Sequence, residues 1–128
     1  MADQLIFFPD AEAALIAHLK TSFSSRGETA RVSTRTLPDE TGKRVRVARA
    51  GGPAGLVTDN PMLIVQTWGS STMEASNLGR LARALVRTMP GLKSFREIGG
   101  LQYFEDPDSS QPRYQFTVQV SLRGVTEG

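Results

Sequence analysis

The chain has 128 residues, 39% of them hydrophobic and 22% charged, a size and balance that suit one soluble globular domain with its own core. It contains no cysteine, which removes disulfide frameworks, thiol nucleophiles and thiolate metal sites, and no apolar run approaches the roughly 20 residues that span a bilayer. A net charge of +2 sets twelve arginines and three lysines against thirteen acids; no arginine cluster is interleaved with aromatics as in a base-stacking platform, so charge alone argues little for nucleic acid.

The opening stretch, MADQLIFFPDAEAAL, has no basic leader ahead of an apolar segment, and the chain is expected to be made and assembled in the cytoplasm. Residues 10–23 read as an amphipathic helix. Leu15, Leu19 and Phe23 share one stripe flanked by Ile16, Lys20 points away, and Glu12 sits in the first turn, where an acid suits the helix dipole. Pro9 or Asp10 supplies a start and residues 24–27, SSRG, a stop. Residues 30–37, ARVSTRTL, have strand composition, and residues 38–42, PDETG, have turn chemistry. With a strand at 43–50 they predict an antiparallel hairpin.

In that second strand Val45 and Val47 alternate with Arg44 and Arg46, so its two faces differ: one apolar, one basic. The same alternation predicts that Arg44 and Arg46 face out of the core, beside Arg31 and Arg35 of the first strand. A glycine-rich break, GGPAGLVTDNP, follows. It is read as a flexible loop at 51–58 inside a single domain spanning 1–128. Residues 62–68, MLIVQTW, then form a mostly apolar central strand that starts after Pro61, where a missing donor does least harm.

Residues 71–89 form the second helix. Ser71 and Glu74 fit a capping box, Leu78, Leu81, Ala82, Leu85, Val86 and Met89 make an apolar stripe, and Arg80, Arg83 and Arg87 lie largely opposite. Pro90-Gly91 ends it. Residues 95–104 read as a strand interrupted by a bulge at Gly99-Gly100, residues 105–112 as a polar turn, and residues 114–123 as an amphipathic strand with Phe116, Val118, Val120 and Leu122 on one face. The order is α-β-β-β-α-β-β. It predicts an α+β fold with an antiparallel or mixed sheet covered on one face by two helices.

Chemistry is sparse. His18 is the single histidine and reads as a packed or surface side chain, since no partners for a ligand or base can be named. Asp106 with Asp108, and Asp59 beside Asn60, read as turn formers because neither pair has the dense oxygen spacing of a calcium loop. GGPAG lacks the Lys-Ser/Thr ending of a phosphate-binding loop and leads into a strand, and no Gly-x-Ser-x-Gly elbow is present. The expectation is a non-enzyme with no catalytic residue, cofactor or metal. Trp68 is read as a core anchor in preference to an interface hot spot.

The order of four segments, FPDAEAALIAHLK, VRVARAGGPAGLVTDNPMLIVQTWG, ASNLGRLARALV and QPRYQFTVQVSLRG, resembles the tail terminators of long-tailed phages. The strings are similar to those of small tail-assembly proteins of actinobacterial phages, over nearly all of residues 5–124. The resemblance implies a hexameric ring in the neck of the virion. Such a ring caps the tail tube, ends its polymerisation and offers its other surface to the head connector, with DNA passing through without sequence-specific contact and with no membrane partner. Another neck protein, a stopper or adaptor, is the first alternative, and a small nucleic-acid-binding module is the second. Within the implied assembly Arg31, Arg35, Arg44, Arg46, Leu56 and Val57 are the candidate subunit or tube contacts. The 51–58 loop is expected to be mobile in the free subunit and ordered by a neighbour.

Overall fold

A computed structural model describes residues 5–7, 10–35, 41–50 and 60–127. The described elements run β1 (Leu5–Phe7), α1 (Ala11–Arg26), β2 (Arg31–Ser33), β3 (Arg44–Arg49), β4 (Met62–Trp68), α2 (Thr72–Val86), β5 (Leu92–Tyr103), β6 (Arg113–Leu122) and β7 (Val125–Glu127). The predicted α-β-β-β-α-β-β order stands, and it is bracketed by a short antiparallel ribbon of β1 with β7 that the sequence reading did not contain.

Local chemistry sets the helices. Asp10 caps α1 by accepting from the Ala13 amide at 3.2 Å, Glu12 lies in the first turn, and Gly27 closes the helix. Ser71 caps α2 by accepting from the Glu74 amide at 3.1 Å; the Glu74 carboxylate reaches back to the Ser70 amide, one residue earlier than the capping box predicts. Gly69, between β4 and α2, lets the chain turn tightly: a Cβ there would lie 2.5 Å from the Ala75 backbone nitrogen.

The main sheet has five strands in the order β2-β3-β4-β6-β5, antiparallel except for β2 with β3. That parallel pair corrects the predicted hairpin. Arg31 pairs with Arg44 and Val32 with Val45, so the chain after Ser33 returns to the start of β3 before pairing begins. The register puts Val32 beside Val45 on the face that α1 covers, where both are buried. The end of the predicted first strand, residues 36–37, and residues 38–40 of the predicted turn lie outside the described residues.

Both helices pack on one face of this sheet, α1 on β2 and β3, α2 on β4, β5 and β6. Leu15, Leu19 and Phe23 of α1 and Leu78, Ala82, Leu85 and Val86 of α2 close over Val45, Val47, Leu63, Val65, Phe116, Val118 and Val120 in one buried cluster. His18 joins the helices: its Nε2 lies 3.0 Å from the Leu85 carbonyl and 2.9 Å from Thr88 Oγ1. Arg83 does not simply face solvent as its position opposite the stripe suggested. It forms a two-pronged ion pair with Glu97 of β5, whose hydrogen bonds and charge raise the guanidinium pKa further. Gly99, at φ 74°, sits in the predicted β5 bulge, where the register slips between Ile98 and Gln102.

Candidate assembly surface

The other face of the sheet carries no helix. Strand pairing fixes which side chains stand together on it, because residues directly opposite across antiparallel strands share a face. Its first row is Arg44–Trp68–Arg113, its second Arg46–Gln66–Gln115–Gln102, its third Ala48–Ile64–Thr117–Ile98 and its fourth Met62–Gln119–Arg96.

The first row is covered by the connection between β5 and β6. Trp68 is 2% exposed, as a buried anchor should be, yet it lies outside the helix-side cluster. The Arg44 guanidinium stands 4.5 Å from the centre of its ring and that of Arg113, from the strand on the other side of β4, 5.8 Å away. Asp106 ties the connection down: its Oδ2 accepts from the Trp68 indole N–H at 2.8 Å and from Ser109 Oγ at 2.7 Å, its Oδ1 accepts from the Asp108 amide at 3.0 Å, and Arg44 stands 3.6 Å off as an ion-pair partner. Gln111 accepts from Arg44 as well. Burial by itself would raise the Asp106 pKa. The donors from Ser109, Trp68 and the Asp108 amide, with the nearby charge of Arg113, outweigh it and hold the carboxyl below its ordinary value.

Asp106 is therefore a turn former, as read, and also the buried acceptor on which the turn is built. Arg44 departs from expectation more sharply. Its side chain points away from Val45 and Val47 as the alternation requires, but it is 1% exposed and locked under the connection instead of facing solvent. Nothing near Arg44 signals this, because Gln111 lies 67 residues away in sequence.

The second row is a hydrogen-bonded ladder. Arg46 donates to Gln66 at 3.1 Å and to the Thr34 carbonyl at 3.1 Å, and Gln66 donates to Gln115 at 2.9 Å. In the fourth row Arg96 donates to Gln119 at 3.1 Å. Among the described residues these three rows, half-buried on β3, β4 and β6 and exposed on β5, contain no carboxylate; Glu97, the one acid in β5, faces α2. Sequence reasoning missed Gln66, Gln115 and Arg96, although the alternation of Gln115, Thr117 and Gln119 with buried neighbours marked their face as polar.

The remaining candidates scatter. Arg31 lies on edge strand β2 and donates to the Thr41 carbonyl at 3.2 Å, and Arg35 is exposed beyond that strand. Leu56 and Val57, with the whole 51–58 loop, lie outside the described residues. On the helix side an open groove of about 510 Å³ runs past Glu28, Lys43, Met73 and Glu74. Burial pushes the Glu28 carboxyl up, but its 2.8 Å contact with Lys43 and the Ala30 amide bring it below the ordinary value. No three of His, Asp and Glu stand together as a metal cluster among the described residues.

No protein-family model and no curated protein matches the sequence. The fold does have a counterpart among solved structures: a chain from the virion of a native gene transfer agent particle superimposes with a TM-score of 0.52 at 13% identity, over 88% of this chain and 94% of that one. The two chains share an α+β fold across nearly their whole lengths.

Proposed function

We propose that this protein is a structural component of a tailed-phage-type virion and that it caps the tail tube as a hexameric ring. In that role it ends tube polymerisation and offers its opposite surface to the head connector, in the neck of the particle, after assembly in the host cytoplasm. DNA passes through the ring without sequence-specific contact. The observation that carries the reading is the likeness to a gene transfer agent virion chain, which extends over almost all of both chains. The segment order that resembles tail terminators supports the finer assignment. The helix-free face supports a role in contact, since it joins a hydrogen-bonded Arg46–Gln66–Gln115 ladder to the apolar side chains of Ile64 and Ile98.

Electron microscopy of the protein mixed with tail tubes tests the proposal. A six-fold ring seated only at one end of each tube is the expected result; decoration along the tube, or binding to head connectors but never to tubes, points to a stopper or adaptor instead. Mass measurement of the tube-bound species gives the count, and a stable number other than six overturns the hexamer. Hydrogen exchange in residues 51–58 is expected to slow on assembly.

A further inference from the structure

The connection between β5 and β6 ends in a tip with two characters. Tyr103 and Phe104 are large, mainly apolar side chains left 48% and 42% exposed, and the exposed residues that follow, Glu105, Pro107 and Asp108, include two acids. The tip is rigid. Asp106 anchors it through the Trp68, Ser109 and Asp108 hydrogen bonds, the Ser110 amide donates to the Asp106 carbonyl at 2.8 Å, and Ser110 is held at φ 58°, a conformation few non-glycine residues adopt.

The helix-free face has the opposite composition. Its third row places Ile64, Thr117 and Ile98, the last 36% exposed, between the Arg46 row and the Arg96 row. Both guanidiniums are oriented by neutral amide acceptors, so their hydrogen bonds hold them in place without cancelling their charge. An apolar strip rimmed by arginine, with neither lysine nor carboxylate, is the composition of a protein interface. Joining two copies through this face would bring two sets of arginines together with no carboxylate between them. A heterologous contact, with a different and acidic patch of the partner presented to it, avoids that opposition.

We propose that the partner patch is the β5–β6 tip of a second copy: Phe104 seats on the Ile64–Thr117–Ile98 strip while Glu105 and Asp108 meet Arg46 and Arg96. The occupant is chosen by charge and by apolar match, and both halves belong to one chain. A chain's own tip is tied over Trp68 at the first row and leaves the other rows open for its neighbour. Because the tip is already ordered in the single subunit, docking it costs little conformational entropy. A repeated tip-to-face contact of this kind closes a ring when the rotation per step allows it. The inference thus deepens the ring reading by naming its subunit contact.

The chain has no cysteine, so two single-cysteine variants report the contact directly. Pro107→Cys marks the tip and Thr117→Cys the face. Mixed at high concentration with a short bis-maleimide, they should give the tip-to-face heterodimer well in excess of either homodimer. Adding Arg46→Glu with Arg96→Glu to every chain should lower that yield about tenfold. Adding Glu105→Arg with Asp108→Arg as well should restore it, since both signs are then reversed. Restoration also answers the possibility that the first pair merely unfolds the chain. Equal homodimer and heterodimer yields, no crosslink, or no restoration in a chain that melts like the parent would overturn the contact. A six-fold ring at tube ends whose crosslinks run elsewhere would sink this contact and leave the ring; tip-to-face crosslinks without a tube-end ring would do the reverse.

Discussion

The two faces of the central sheet are built on the same strands yet hold their side chains by different means. On the helix side, Val45, Val65, Phe116 and Val118 are buried by packing alone, and the stabilisation scales with apolar area removed from water. On the other side, burial is confined to one row, where Trp68, Arg44 and Asp106 have to satisfy each other with hydrogen bonds and charge. The contrast teaches where each face is vulnerable. The packed face tolerates no missing volume, the locked row tolerates no missing partner, and the exposed rows tolerate most changes because water replaces what is lost.

Phe116→Ala tests the packed face and should cost about 3–5 kcal/mol, the range for removing a buried aromatic ring; chemical denaturation measures it. Asp106→Ala should cost about 3 kcal/mol, because it removes the carboxylate beside the buried Arg44 charge and leaves the Trp68 indole N–H without its acceptor. If Asp106→Ala unfolds no more easily than Glu105→Ala, the row is not locked as described. Arg44→Glu belongs with it: a second carboxylate beside Asp106 should destabilise by a comparable amount, whereas Arg46→Glu, one row over, should not.

Acid sharpens the same comparison. The folded chain holds the Asp106 carboxyl below its ordinary value, so the stability it contributes is complete above the unfolded carboxylate pKa of about 3.9 and is lost as pH falls from there through the folded value. Glu28, lowered beside Lys43, acts in the same direction. Stability measured against pH should therefore fall on the acid side. Asp106→Asn should flatten part of that fall while Phe116→Ala shifts the whole curve down without changing its slope.

Gly69→Ala should cost about 1–3 kcal/mol, the usual range for overpacking, since its Cβ would press on the backbone of α2, which cannot move aside as a side-chain tip can. Smallest of all, Arg46→Gln and Gln66→Ala on the exposed rows should change stability by about 0.5 kcal/mol or less in the isolated subunit. A large effect from either would mean that the ladder serves the fold, and its preorganisation for a partner would lose its basis. Thermal melts of the set rank all of these on one scale.

Elements set by neighbours in sequence were legible from the residues: α1 and α2 from their stripes and caps, β4 from its apolar run, the β5 bulge from Gly99-Gly100, β6 from strict alternation, and with them the α+β order. Each depends on periodicity, capping or turn chemistry, which act over a few residues. The basic character of the helix-free side was likewise visible in Arg44 and Arg46 alternating with Val45 and Val47.

What only the tertiary structure decided involves partners far apart in the chain. The parallel pairing of β2 with β3 brings Val32 and Val45 together under α1, and the turn residues between the two strands carry no sign of strand direction. The difference between Arg44 and Arg46, alike in sequence, comes from whether the β5–β6 connection lies over their row, and that depends on Asp106 finding Trp68 from 38 residues away. Alternation in a strand assigns a side chain to a face. Burial on that face is decided by what the rest of the chain lays across it.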